Sequence, residues 1–385
     1  MTNLNYDYII VGAGAAGLQL ALVMNQDPFF AKHNILILEK QDKQVNDKRW
    51  SFWEKGTGQW DDLVYKSWST SRFYGPLNKE LFFDLNPYAY KSLQSIDFYT
   101  FAQKEISKSK NMSWLTGDVS QIIQKDGSVV VSTSEKEYSC SHCFDSRITL
   151  DWNKEKKKHV TLWQHFKGWT IEFENETFNP NEFVMMDFRH RHHDSTSFIY
   201  VLPINKSQAL IEFTLFTKDV FKSSEEYDPY LKNYISKYIS SDHYSIIDIE
   251  EGRIPMTNFP FHKDNQKNIT KIGTAGSWVR PSTGYSFKYI EKYVSQIIQN
   301  IKSNKRIDHH LLSRKTRWLD SVLLEVLHNE NHLGPSIFES QYSKNSMEQI
   351  FKFLDGETSI VEDIKMISKF EKLPFLKGAL RHLFR

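Results

Sequence analysis

Cysteine is almost absent from these 385 residues: two occur, Cys140 and Cys143, in the single run CSHC. Without a second C-x-x-C there is no four-ligand zinc set, and His142 does not complete one. Two thiols in so long a chain suit a reducing cytosol. The run His190-Arg191-His192-His193 lacks metal-ligand spacing and is expected to be a solvated turn, so no metal is expected. An excess of one charge is also lacking. Lys plus Arg number 49 against 47 Asp plus Glu, a net charge of +2. No basic stripe with interleaved aromatics appears, which argues against a nucleic-acid partner. No uninterrupted apolar stretch reaches the ~18 residues that a spanning helix needs. The apolar stretch Ile9 to Met24 has no basic segment before it and carries glycines at nucleotide-loop spacing, so it is not read as a secretion signal. Internal repeats are missing, and the one biased segment, Asn153 to Lys158 (NKEKKK), is expected to be an exposed loop.

Aromatic residues, by contrast, are abundant: 10 Trp, 18 Tyr and 27 Phe, 14% of the chain. They serve either a well-filled core or a long apolar pocket. Near the N-terminus, Asp7 to Val11 (DYIIV) suits a buried parallel strand, Leu18 to Met24 a helix and Ile35 to Leu38 a second buried strand. Between the first strand and the helix, Gly12, Gly14 and Gly17 stand at G-x-G-x-x-G spacing within GAGAAG. The first glycine permits a tight turn and the second lets backbone approach a pyrophosphate. The third allows close helix–strand packing, and the helix N-terminus offers N–H donors. Glu39 ends the second strand, placed to accept from ribose hydroxyls and to repel a 2′-phosphate, which argues against NADP in this site.

A second glycine segment, Gly273 to Phe287 (GTAGSWVRPSTGYSF), repeats the phosphate logic far along the chain. Ala275 and Gly276 are small enough for a ribityl chain to pass, Pro281 presets a turn, and Gly284 is expected to open a helix from about Thr283 to Asn300. Two such loops suggest a fold that closes on one extended flavin dinucleotide. Between them, Val129 to Val131, Phe183 to Phe188, Phe198 to Leu202 and Ala209 to Phe213 read as strands, with Pro203 and Asn205 marking a turn. After Trp318 the pattern is helical, with breaks at Gly334-Pro335 and Gly356. The expected organisation is α/β: a discontinuous dinucleotide-binding domain (1–75, 95–150 and 250–302), an inserted antiparallel β-sheet substrate domain (76–94 and 151–249) and a helical C-terminal region (303–385).

Several motifs together resemble one family. They are YDYIIVGAGAAGLQLA, NDKRWSFWE (Asn46 to Glu54), SIDFYTF (Ser95 to Phe101), FDSR (Phe144 to Arg147), QHFKGW (Gln164 to Trp169), MDFR ending at Asp187 to Arg189, ALIEFTLF (Ala209 to Phe216) and GTAGSWVRPSTGYSF. The chain resembles the bacterial lycopene β-cyclases, relatives of the flavoprotein hydroxylases. Ser51 stands where that family often has cysteine. Phe213 occupies a position that is often acidic, so no neighbouring acid is expected to back up Glu212.

The resemblance implies a Rossmann-like FAD-binding domain of the glutathione reductase and hydroxylase type. It implies redox-neutral cyclisation of lycopene, with FAD reduced by NAD(P)H but not consumed by the ring closure. Cofactor contacts would come from Gly12, Ala13, Gly14, Ala15, Ala16, Gly17, Glu39, Lys40, Arg49 and Asp145, and from Gly273, Thr274, Ala275, Gly276, Pro281 and Gly284. Arg49 could instead form a surface salt bridge. Glu212 is the expected acid/base, although strand alternation alone also allows a carboxylate on a wet face. Trp50, Phe52 and Trp53 are expected either to line the cation site or to fill core. Lys372 to Arg385 alternates basic and bulky apolar residues, suiting either an interfacial helix at the inner face of the cell membrane or a helix docked on its own protein. A redox flavoenzyme consuming NAD(P)H and a non-enzymatic flavin or carotenoid carrier are the other classes the sequence admits.

Overall fold

The computed structural model describes residues 4–148 and 158–384; 153–157 of the basic segment lie outside the described residues. In chain order the strands are β1 (Leu4–Val11), β2 (Ile35–Glu39), β3 (Arg49–Lys55), β4 (Val64–Trp68), β5 (Thr70–Tyr74), β6 (Glu80–Asp84), β7 (Tyr88–Gln94), β8 (Met112–Thr116) and β9 (Val119–Lys125). They continue with β10 (Ser128–Thr133), β11 (Glu137–Asp145), β12 (Thr161–Phe173), β13 (Glu182–Asp187), β14 (Thr196–Pro203), β15 (Gln208–Thr217), β16 (Tyr244–Thr257) and β17 (Ile269–Lys271). The helices are α1 (Ala15–Gln26), α2 (Ser95–Ser107), α3 (Asp228–Tyr234), α4 (Phe287–Lys302), α5 (Arg314–Asn329), α6 (Gly334–Lys344), α7 (Met347–Leu354), α8 (Ile360–Ile367) and α9 (Lys372–Leu383).

Three sheets organise these elements. The first runs β8-β2-β1-β11-β10-β9, with β17 also on β11. Its β8, β2, β1, β11 and β17 pair in parallel. Apolar runs such as Ile9–Val11 and Ile35–Leu38 are buried on both faces, one under α1, α2 and α4 and the other against β9, β10 and β11. The second, running β16-β12-β15-β14-β13-β5-β6, is antiparallel except where β13 meets β5. The third is the small sheet β3-β7-β4, tied to α4 where Glu54 pairs Lys91 and Lys288. The expected boundary after residue 75 therefore falls one strand late, because β5 belongs to the second sheet.

Local signals explain the other differences. Gly284 has φ +74, which a right-handed helix does not accept, and Arg280 N–H donates to the Tyr285 carbonyl to close a loop. Hence α4 starts at Phe287, not Thr283. The expected break at Gly334-Pro335 is the junction between α5 and α6, and the proline sits in the first turn of α6, where its missing N–H costs nothing. Ser313 caps Thr316 N–H, so α5 begins before Trp318. The histidine turn is only partly solvated: His193 is exposed, but His192 Nδ1 contacts Tyr230 Oη at 2.6 Å, and His190 lies against Tyr230 and Tyr234 of α3. Cys140 and Cys143 are unpaired thiols buried in the first sheet.

Candidate active site

The cavity is built on the pleat of β15. Leu210, Glu212, Thr214 and Phe216 line it, whereas Ala209, Ile211, Phe213 and Leu215 point the other way, into a core closed by α3. Phe213 stacks on Tyr230 with ring centroids 4.5 Å apart. An acid at position 213 could not have served the cavity, so its replacement by phenylalanine removes no backup to Glu212. The second carboxylate comes from β16 instead. Glu212 and Glu250 both register with Gly168 of β12, which lies between their strands, and both line the cavity.

Glu212 is only 9% exposed, and Thr214 Oγ1 donates to its Oε1 at 2.6 Å. Burial, then the negative charge of Glu250, pushes its carboxyl up to about 8, so it holds its proton at neutral pH. Arg49 Nε donates to Glu250 Oε2 at 3.1 Å, an ion pair on the cavity wall. Across β14, Tyr200 registers with Glu212. Its hydroxyl donates to Tyr90 Oη at 2.6 Å, and Tyr90 Oη lies 3.1 Å from Tyr285 Oη. Burial raises all three phenols well above their usual range. The three hydroxyls satisfy one another, and the rings line the cavity.

The same cavity, about 710 Å³, reaches Gly14, Ala15, Ala16 and Gly17 at one end and Gly273, Thr274 and Gly284 along its wall. A dinucleotide fits the first loop. A Cβ on Gly14 would meet nothing within 4 Å, while one on Gly17 would lie 2.0 Å from the Gly12 carbonyl oxygen. The first glycine faces open space and the second is needed for packing. Gly12 has φ +96, and its Cβ would strike Ser146 Oγ, a cavity-lining hydroxyl that the motif reading passed over. No side chain caps α1 and its first turn holds no acid, leaving its N–H donors for an anion. Glu39 accepts Ala13 N–H at 2.6 Å and Gln41 N–H at 3.1 Å, and its oxygens keep lone pairs for ribose hydroxyls. The buried Gln164 Oε1, beside Gly284 on the wall, has no hydrogen-bond partner among the described residues and offers an acceptor to a ligand N–H.

Other expected site residues stand elsewhere. Asp145 accepts from Arg147 and from Lys271 Nζ at 2.8 Å, and so locks the ends of β11 and β17 instead of facing the cavity. Lys40 is exposed beyond β2, and Ala275, Gly276 and Pro281 lie behind the wall. Trp50 is on the wall, but Phe52 stacks on Phe287 and Trp53 on Phe351, both behind it. Sequence reasoning missed Glu250, Tyr90, Tyr200 and Tyr285. Alternation along DIEEGRIP and FIYVL was the available signal, but it does not say which face is the cavity's.

A parallel dinucleotide sheet joined through one cavity to an antiparallel sheet defines the class of FAD-dependent hydroxylase-like and halogenase-like folds. Solved structures agree. A geranylgeranyl bacteriochlorophyll reductase-like protein from Thermoplasma acidophilum matches with TM-score 0.59 and 14% identity, over 99% of this chain and 100% of the other. A p-nitrophenol 4-monooxygenase from Pseudomonas putida DLL-E4 gives 0.59 and 14%, over 98% and 99%. A flavin-dependent brominase gives 0.60 and 12%, over 91% and 94%. At such identities the likeness is one of fold. No curated protein matches the chain in sequence. The family model described as "Lycopene cyclase protein" matches residues 7–379, and the chain belongs to that family of enzymes.

Proposed function

We propose that this enzyme is a lycopene β-cyclase, closing the linear ends of lycopene into β-ionone rings by way of γ-carotene to β-carotene. The observation that carries this reading is Glu212, a buried carboxyl that keeps its proton at neutral pH on the wall of an aromatic-lined cavity reaching both glycine segments. Its O–H bond breaks as the proton adds to the terminal alkene, leaving a tertiary cation. The internal alkene closes on that cation to form the ring bond. A ring proton then returns to the Glu212 carboxylate, leaving the ring double bond and restoring the acid, so substrate and product are isomers. The rings of Tyr90, Tyr200, Tyr285 and Trp50 face the cavity and favour the cation, by up to ~2 kcal/mol each when desolvated. FAD would be held by the loops at Gly12–Gly17 and Gly273–Gly284. Reduced by NAD(P)H, it would supply an electron-rich ring that favours a nearby cation in low dielectric.

Among the described residues no helix is long and apolar enough to cross a membrane. On α9, however, Leu373, Leu376, Leu380 and Leu383 form an exposed stripe at helical spacing, with Ile360, Val361 and Ile364 exposed on α8. We read this surface as the contact with the inner face of the cell membrane, where a carotenoid substrate dissolves. Co-expression in lycopene-accumulating bacteria tests the function. The expected outcome is a shift from red to orange or yellow with product mass unchanged. Products heavier by oxygen or hydrogen would instead establish a monooxygenase or reductase that consumes NAD(P)H.

A further inference from the structure

We propose that Glu250 is a positioning residue for Glu212: the two carboxyl groups meet over Gly168 and share one proton, which Glu250 keeps on Glu212. The proposal rests on reading Glu212 as the acid. Strand β12 separates β15 from β16, so the two glutamate Cα atoms stand two strand spacings apart, roughly 9–10 Å. Two glutamate side chains close that distance only if nothing rises between them. Gly168 provides the gap: a Cβ there would lie 3.2 Å from Glu250 Cγ, 3.4 Å from Glu212 Cβ and 2.8 Å from Leu210 Cδ1. Glycine inside a central strand is unfavourable on its own, and close approach of other groups is a usual reason for it.

Donor arithmetic gives the proton its place. Glu250 takes a hydrogen bond from the Arg49 guanidinium, and Glu212 takes one from the neutral Thr214 hydroxyl. Two ionised carboxylates have no donor between them, so a hydrogen bond joining them requires one proton. The cation fixes the negative charge on Glu250 and leaves that proton on Glu212. Protonated Glu212, ionised Glu250 and Arg49 then form a neutral group, as a dry cavity favours. Other titratable groups on the cavity wall are the phenols of Tyr90, Tyr200 and Tyr285, which stay neutral, and Asp47, Lys48, Asp248, Glu251 and Arg253, which stand exposed.

Infrared titration of the full-length flavoprotein tests the pair without turnover. The wild-type protein should show a protonated-carboxyl band near neutral pH that is absent from Glu212→Gln. In Glu250→Gln the like charge is gone and Arg49 faces Glu212, so the band should titrate away at lower pH. Cyclisation at pH 8 should then fall roughly tenfold as the protonated fraction of Glu212 drops, with flavin content unchanged. Gly168→Ala, which parts the two groups, should move the band the same way. Arg49→Gln should move it to higher pH, an opposite displacement that general loosening would not produce. A band and rate profile in Glu250→Gln identical to wild type would overturn the proposal. Full cyclisation by Glu212→Gln would instead remove the acid assignment, while the infrared result still judged the pair.

Discussion

Glu212 and Phe213 are adjacent in the chain and belong to opposite faces of one sheet, and this decides what each can do. Glu212→Gln should keep flavin and fold but lower cyclisation by about 10²–10⁴-fold, measured by pigment chromatography. Because the acid acts in its protonated form, the rate should fall as pH rises past about 8. Stability should follow the same sign. The native state holds a proton that the unfolded chain releases near 4.5, so stability declines as pH rises from there to about 8, and Glu212→Gln should flatten that slope in denaturant unfolding. Two glycines of one motif should separate in the same way. Gly14→Ala should leave the melting temperature unchanged and weaken flavin binding, whereas Gly17→Ala should lower the melting temperature, since its methyl meets a backbone carbonyl. Glu212 was legible in ALIEFTLF only to within the choice of face. Glu250 was not legible, because its meeting with Glu212 depends on cross-strand register around Gly168, which no local pattern records.

Elements were most legible where one force dominates. Strands β1 and β2 announce themselves as apolar runs because both faces are covered, and α1 follows from the glycines that seat it. The start of α4 was obscured because its sequence suits a helix several residues earlier, until the positive φ of Gly284 forbids one. Helix α9 is docked on α5 along one side and open along the other. Its small residues Pro374 and Gly378 are buried, and a Cβ on Gly378 would lie 3.0 Å from the Val322 carbonyl oxygen and from Val326 Cγ2 of α5. Its leucines point outward, with Leu376 61% and Leu380 55% exposed. Deleting the helix would uncover α5, so substitution is the cleaner probe. Leu376→Glu with Leu380→Glu should move protein from the membrane to the soluble fraction on sedimentation, with the melting temperature unchanged. Unaltered sedimentation would count against the membrane contact.

At the scale of the whole molecule, the cavity exists because three regions meet: the dinucleotide sheet, the antiparallel sheet, and α6 with α7, which contribute Phe338, Gln341, Tyr342 and Leu354 to its wall. Arg280, within the second glycine segment, clamps the helical region in place. It pairs with Asp320 at 3.1 Å and donates to Tyr289 and to the Phe353 and Leu354 carbonyls, with both charges almost wholly buried. Arg280→Met should cost ~3–5 kcal/mol, seen as a lower denaturation midpoint, because Asp320 would remain buried without its cation. The two glycine segments announced their share of this convergence, but the share of α6 and α7 was not legible, because those segments read only as core. One feature of the cavity wall carries a kinetic corollary under the proposed reaction. A single acidic carboxyl serves a molecule whose two termini are alike, so the half-finished product has to be let go and turned end for end before its other terminus can react. Scarce catalyst should therefore accumulate the singly ringed pigment early in the time course, and abundant catalyst should drain it.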